Sequence, residues 1–140
     1  MNFRFCHSRF LCGISLALAF FGANAQSMKI SLSGAQEVPP VTTSASGSGT
    51  ITVAPDGSVS GSITTSGVDA TMAHIHEAAP GQQNGPVIIG LTKTADNVWS
   101  TPAGAKLSEA QMQSLKNGSL YVNVHSAANK SGEIRAQLKP

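Results

Sequence analysis

Two histidines, His74 and His76, stand two residues apart, and a third, His125, follows much later in the chain. Side chains alternate between the faces of a β-strand, so His74 and His76 on one strand share a face. At ~3.3 Å rise per residue they lie about 6–7 Å apart, near enough for both imidazoles to reach one metal ion. His125 completes a three-nitrogen set if its strand lies beside theirs. The alternative is a pair of exposed polar side chains with a third histidine elsewhere on the surface. Three neutral imidazoles with an open position and no thiolate suit copper or a catalytic zinc, and copper binds the more tightly. On these grounds copper is the leading expectation and a catalytic zinc the alternative. Met72, on the same face as His74, would add a soft thioether favouring Cu(I), or serve as packing.

The elements that must carry these residues are strands. Short runs of alternating polarity recur between turn residues in a chain rich in Ser, Thr, Gly and Val, as in an all-β sandwich. Strands are expected at Met28 to Ser33, Gly49 to Ala54, Ser58 to Thr65, Ala70 to His76, Pro86 to Leu91, Asn97 to Ser100, Ser119 to His125 and Glu133 to Leu138. Pro55-Asp56-Gly57 reads as a hairpin turn, because proline presets its φ and glycine accepts a positive one. The single helical segment is Leu107 to Lys116, with Ser108 placed to cap it and Asn117-Gly118 to end it.

Parity then sorts the side chains. Ala73 and Ile75 should face the core with Leu120, Val122 and Val124, leaving Met72, His74, His76, Tyr121, Asn123 and His125 outward. On the last strand Glu133, Arg135 and Gln137 take the histidine face, with Glu133 opposite His125 and Arg135 opposite Asn123. Glu133 could accept a hydrogen bond from an imidazole, as metal-bound histidines usually require, or be a surface charge. Arg135, the only arginine beyond Arg9, is the candidate catalytic cation, since a positive charge near copper attracts a small anion such as superoxide. A salt bridge between Arg135 and Glu133 is the competing reading.

The first residues read as an export signal: Arg4 and Arg9, an apolar run from Phe10 to Phe21, then Ala23 and Ala25 before Gln26. Residues 1–25 are expected to be removed, leaving one domain over 26–140. The apolar run is shorter than the ~20 residues that span a bilayer, so no stable membrane association is expected after cleavage. Cys6 and Cys12 both lie inside this segment, so the remainder can form no disulfide. Loss of Arg4 and Arg9 brings the formal net charge from +2 to zero. Such a chain has no electrostatic footprint for nucleic acid. A periplasmic or secreted location follows.

Four blocks carry a resemblance: Leu32-Ser33-Gly34-Ala35-Gln36-Glu37-Val38-Pro39-Pro40, Ala73-His74-Ile75-His76, Leu120-Tyr121-Val122-Asn123-Val124-His125-Ser126, and Gly132-Glu133-Ile134-Arg135. Together they resemble the CHRD domain, the module named after chordin, from about Lys29 to Leu138. CHRD domains occur within chordin, an extracellular binding protein, and as small exported bacterial proteins. The segment His74 to Glu77 followed by Val124-His125 is also similar to the copper-ligand arrangement of the copper/zinc superoxide dismutases. That resemblance implies a Greek-key antiparallel β-sandwich, immunoglobulin-like or superoxide-dismutase-like, with one short crossover helix, and copper ligands at His74, His76 and His125. It departs in having no bridging histidine, no zinc-ligand cluster and no disulfide, which leaves the expectation of one copper ion and no zinc, and Arg135 lies within the last strand rather than before it. Three functions are open: a copper-only superoxide dismutase, a non-enzymatic copper-buffering protein, and a metal-free extracellular interaction module.

Overall fold

The computed structural model describes residues 24–140, and the export signal expected over 1–25 falls outside them except for its last two positions. Nine strands follow in order: β1 (Gln26–Ser33), β2 (Ser46–Val53), β3 (Val59–Ser66), β4 (Ala70–Glu77), β5 (Val87–Gly90), β6 (Thr92–Ala95), β7 (Val98–Ser100), β8 (Leu120–Ser126) and β9 (Ile134–Gln137). Among these residues one α-helix, α1 (Glu109–Lys116), crosses from β7 to β8. All neighbours are antiparallel in the order β5-β4-β8-β9-β1-β2-β3-β7-β6, so β9 joins the β4–β8 pair to the meander β1–β2–β3. The fold is the all-β, Greek-key-like antiparallel arrangement expected.

Alternation builds the core. Met28, Ile30 and Leu32 of β1 point inward, with Ile51 and Val53 of β2, Val59 and Ile63 of β3, Ala73 and Ile75 of β4, and Leu120, Val122 and Val124 of β8. Each fully buried branched side chain contributes about 1.5–3 kcal/mol. Trp99 of β7, Leu107 just before the helix and Leu115 of α1 close the core. The turn at Pro55-Asp56-Gly57 joins β2 to β3, where Ser58 N–H donates to Asp56 Oδ1.

Apart from strand ends that move by one to three residues, as where β2 begins at Ser46 rather than Gly49, two expectations change. The helix begins at Glu109 rather than Leu107, because Ser108 caps it: its hydroxyl accepts from Gln111 N–H while Gln111 reaches back to the Ser108 N–H. Leu107 lies before that cap and is buried in the core. Thr92–Ala95, not expected as a strand, pairs with β7. All four of its residues are exposed, so it lacks the inward apolar alternation by which a strand is read.

Candidate metal centre

The strand bearing His125 does lie beside the strand bearing His74 and His76. In the β4–β8 register Met72 faces His125, His74 faces Asn123 and His76 faces Tyr121, and β9 continues the rows with Arg135 opposite Asn123 and Gln137 opposite Tyr121. These side chains share the sheet face away from the core. His125 sits one step diagonal from His74, within reach of long side chains.

That face is not open to water. Parity places Tyr121, Asn123 and Arg135 outward, yet they are 1 %, 1 % and 2 % exposed, and every residue of β8 is buried. Outward here means into a second, polar layer. The segment between β4 and β5 folds back over the sheet: Gly85 O bonds His76 Nδ1 at 2.8 Å, Gly85 N–H donates to the Tyr121 hydroxyl, and Gln82 O accepts from Arg135. Gln137 donates to Ala78 O and Gly118 O. The β8–β9 connection covers the other end, where Lys130 O lies 2.9 Å from His125 Nδ1.

These contacts assign the free nitrogens. With each Nδ1 directed at a carbonyl, His76 and His125 present Nε2, and His76 Nε2 is buried with no hydrogen-bond partner. His74 Nδ1 lies 3.0 Å from His125 Nε2. The three candidate ligand nitrogens lie within 4.8 Å of one another. Two nitrogens on one ion at ~2.0 Å bonds stand about 2.8–3.3 Å apart, so the His74–His125 spacing already fits a shared metal. The backbone acceptors supply the orienting partners that metal-bound imidazoles need.

Electrostatics favour neutral rings, the form that binds metal. All three histidines are held below their ordinary value of 6.5, chiefly by burial, and His74 also by the proximity of His125 and His76. Glu37 moves the other way: burial, outweighing the Arg135 charge, lifts it from 4.5 to about 7. The signs for the metal-free protein therefore oppose. Below 6.5 the unfolded histidines take up protons that the folded ones refuse, so stability falls with falling pH; between 7 and 4.5 folded Glu37 takes up a proton that the unfolded chain does not, and stability rises. Removing the Glu37 carboxyl leaves only the contribution of the histidines, so urea midpoints of metal-free Glu37→Gln should fall more steeply with falling pH than those of the parent between about pH 7 and 4.5. An unchanged profile would contradict the burial of Glu37.

The remaining residues singled out from the sequence take particular places. Arg135 does not meet Glu133; its guanidinium lies 3.5 Å from the centre of the Tyr121 ring and donates to Gln82 O and Gln137 Oε1. Tyr121 is stacked in turn with His76, ring centres 5.0 Å apart and 5° from parallel. Glu133 is not an imidazole acceptor either: its Oε1 takes the Thr43 hydroxyl at 2.7 Å, and the carbonyl of Lys130 does the work expected of it. Met72 is 49 % exposed at the rim opposite His125. Asn123 lies beside His76 and favours its charged form, although its Oδ1 makes no hydrogen bond. Tyr121, Glu37 and the Gly85 and Lys130 carbonyls were not foreseen as site groups. Only Tyr121 had a visible signal, its parity with His125.

The column of Arg135, Tyr121 and His76 makes a prediction. Arg135→Met removes a buried cation from an aromatic face and leaves Gln82 O without its donor, at a cost of about 2–3 kcal/mol. Arg135→Lys should recover little, since a compact ammonium cannot stack flat on the ring and bond both partners. Denaturant midpoints of the two variants and the parent test this; full recovery by lysine would count against the stack.

An antiparallel all-β fold with a three-histidine cluster sunk into a polar layer on one face defines the class of this molecule. The chain belongs to the CHRD domain family, whose model matches residues 28–138. No curated protein and no solved structure matches it.

Proposed function

We propose that this is an exported copper-binding CHRD protein whose centre dismutates superoxide. The observation that carries the reading is the convergence of His74 Nδ1, His76 Nε2 and His125 Nε2 from two adjacent strands, with His76 Nε2 buried and unpartnered. A buried nitrogen left without a partner is uncommon, and a metal would satisfy it. When bound, copper supplies one-electron chemistry, oxidising one superoxide to oxygen and reducing a second, with two protons, to hydrogen peroxide.

The chain itself contributes position and field. Lys130 O and Gly85 O fix the ring orientation of His125 and His76, and half-buried His74 keeps one side of the cluster accessible. Arg135 adds positive potential, which already acts on His76 and would draw an anion toward the cluster. Met72 at the rim offers a thioether to Cu(I). Export agrees with the N-terminal signal pattern and with the extracellular setting of CHRD domains; among the described residues no helix is long and apolar enough to cross a membrane.

Copper holding without turnover is the second reading, favoured by the burial of Arg135 beneath the site instead of at its mouth. Metal analysis of the exported protein, electron paramagnetic resonance of its Cu(II) and a dismutation assay against free copper decide between them. Nitrogen-ligated copper with a rate above the free-copper background supports the dismutase, and the same spectrum without that rate supports buffering. Absence of copper uptake removes both.

A further inference from the structure

Behind the histidines lies a second polar cluster that copper binding does not use. Glu37, just after the short turn Gly34–Gln36 that follows β1, is 6 % exposed, yet its Oε1 has no hydrogen-bond partner. Its carboxyl and the Asn123 carboxamide flank the same side of Gly132, with no hydrogen bond between them. A Cβ at 132 would stand 2.4 Å from Glu37 Oε1 and 2.7 Å from Asn123 Nδ2. Gly132 also adopts φ 139°, so a side chain is excluded by backbone conformation as well as by space.

The carboxamide of Asn123 ties this cluster to the metal centre. Its Nδ2 donates to Ser131 O at 3.3 Å, beside Lys130, whose carbonyl orients His125. Its Oδ1 is buried and unpartnered, and the carboxamide acts on His76, whose Nε2 is unpartnered too. Three buried polar atoms without partners thus fall along one wall, from Glu37 through Asn123 to His76. Most buried polar atoms in folded proteins are paired, so such a run marks a built feature.

Chemistry makes Glu37 the adjustable member. As a carboxylate it can only accept; as the acid it also carries an O–H donor, and both forms find the Asn123 carboxamide as their neighbour. The charged group that acts on Glu37 is Arg135 of β9, the cross-strand partner of Asn123.

We propose that Glu37 is a positioning residue: its carboxyl sets the orientation of the Asn123 carboxamide and, through it, the metal-facing side of His76. The first link stands without metal, and the second rests on the copper reading above.

The test separates them. In metal-free parent protein, the Asn123 side-chain amide resonances should move with the midpoint at which the Glu37 carboxyl carbon titrates. In Glu37→Gln they should stay constant across that range, because a neutral amide still donates and accepts but does not titrate. Asn123 signals that are flat in the parent, or that still move in Glu37→Gln, overturn the proposal and leave the histidines as their cause. With Cu(II), Glu37→Gln should keep the parent's hyperfine pattern, whereas Glu37→Leu, which can do neither, should change it; identical patterns in all three overturn the second link. If Glu37→Leu does not fold, Asn123→Leu, which removes the same link one residue closer, takes its place. A parent that takes up no copper defeats the copper reading, and the metal-free resonances still decide the link from Glu37 to Asn123.

Discussion

Replacing His125 by alanine is expected to erase the stabilisation that copper confers while leaving the metal-free fold in place. A ligand at a hundredfold excess over its Kd, bound only by the folded state, adds about 2.7 kcal/mol. For a domain of this size that is a rise in Tm of roughly 10 °C. His125 brings its Nε2 within 3.0 Å of His74 Nδ1 from the strand next to that of His74 and His76. Without it two imidazoles remain, and copper affinity should fall by more than the ~10–100-fold that follows from losing an orienting partner alone. The metal-free cost should be about 1 kcal/mol, because half-buried His74 can turn its Nδ1 to water. Thermal scans with and without copper check both figures. A full copper shift in His125→Ala would mean that the metal is held elsewhere.

Gly85→Ala is expected to damage the site from a distance, without altering a ligand. A Cβ at this position would fall 1.8 Å from Glu77 O, a contact that no side-chain rotation relieves because both groups are backbone. The 78–86 segment must move away from the end of β4, at a cost of about 3 kcal/mol. His76 Nδ1 then loses its carbonyl and the Tyr121 hydroxyl its donor. Copper affinity should drop about 10–100-fold although all three histidines are present. Denaturant midpoints and copper titration of the variant test this together. A variant with the parent's stability would show that Gly85 does not pack against Glu77, and one with lowered stability but full affinity would show that Gly85 O is not needed to orient His76.

Much of the fold was legible because its strands alternate. Met28, Ile30 and Leu32, or Ala73 and Ile75, announce a buried face two residues at a time, and the Pro55-Asp56-Gly57 turn announces its hairpin. Thr92–Ala95 escaped because hydrogen bonding to β7 makes it a strand while neither face is buried. The site was legible in part. Parity put His74 and His76 on one face, but parity cannot say which strands are neighbours, nor what covers the face to which they point. Arg135 illustrates the second gap: read as an outward cation free to meet Glu133 or an anion, it is enclosed by Tyr121, Gln82 and Gln137.

The sequence by itself determined the membership of the family, the all-β architecture and the three imidazoles available to a metal, since these depend on residue type and local periodicity. The tertiary structure decided that His125 joins His74 and His76, which nitrogen each presents, and that a polar layer closes over them. Those outcomes depend on the β4–β8 register and on loops whose backbone carbonyls, at Gly85 and Lys130, serve as site groups. Every residue carries the same carbonyl, so no pattern of side chains could have pointed to those two.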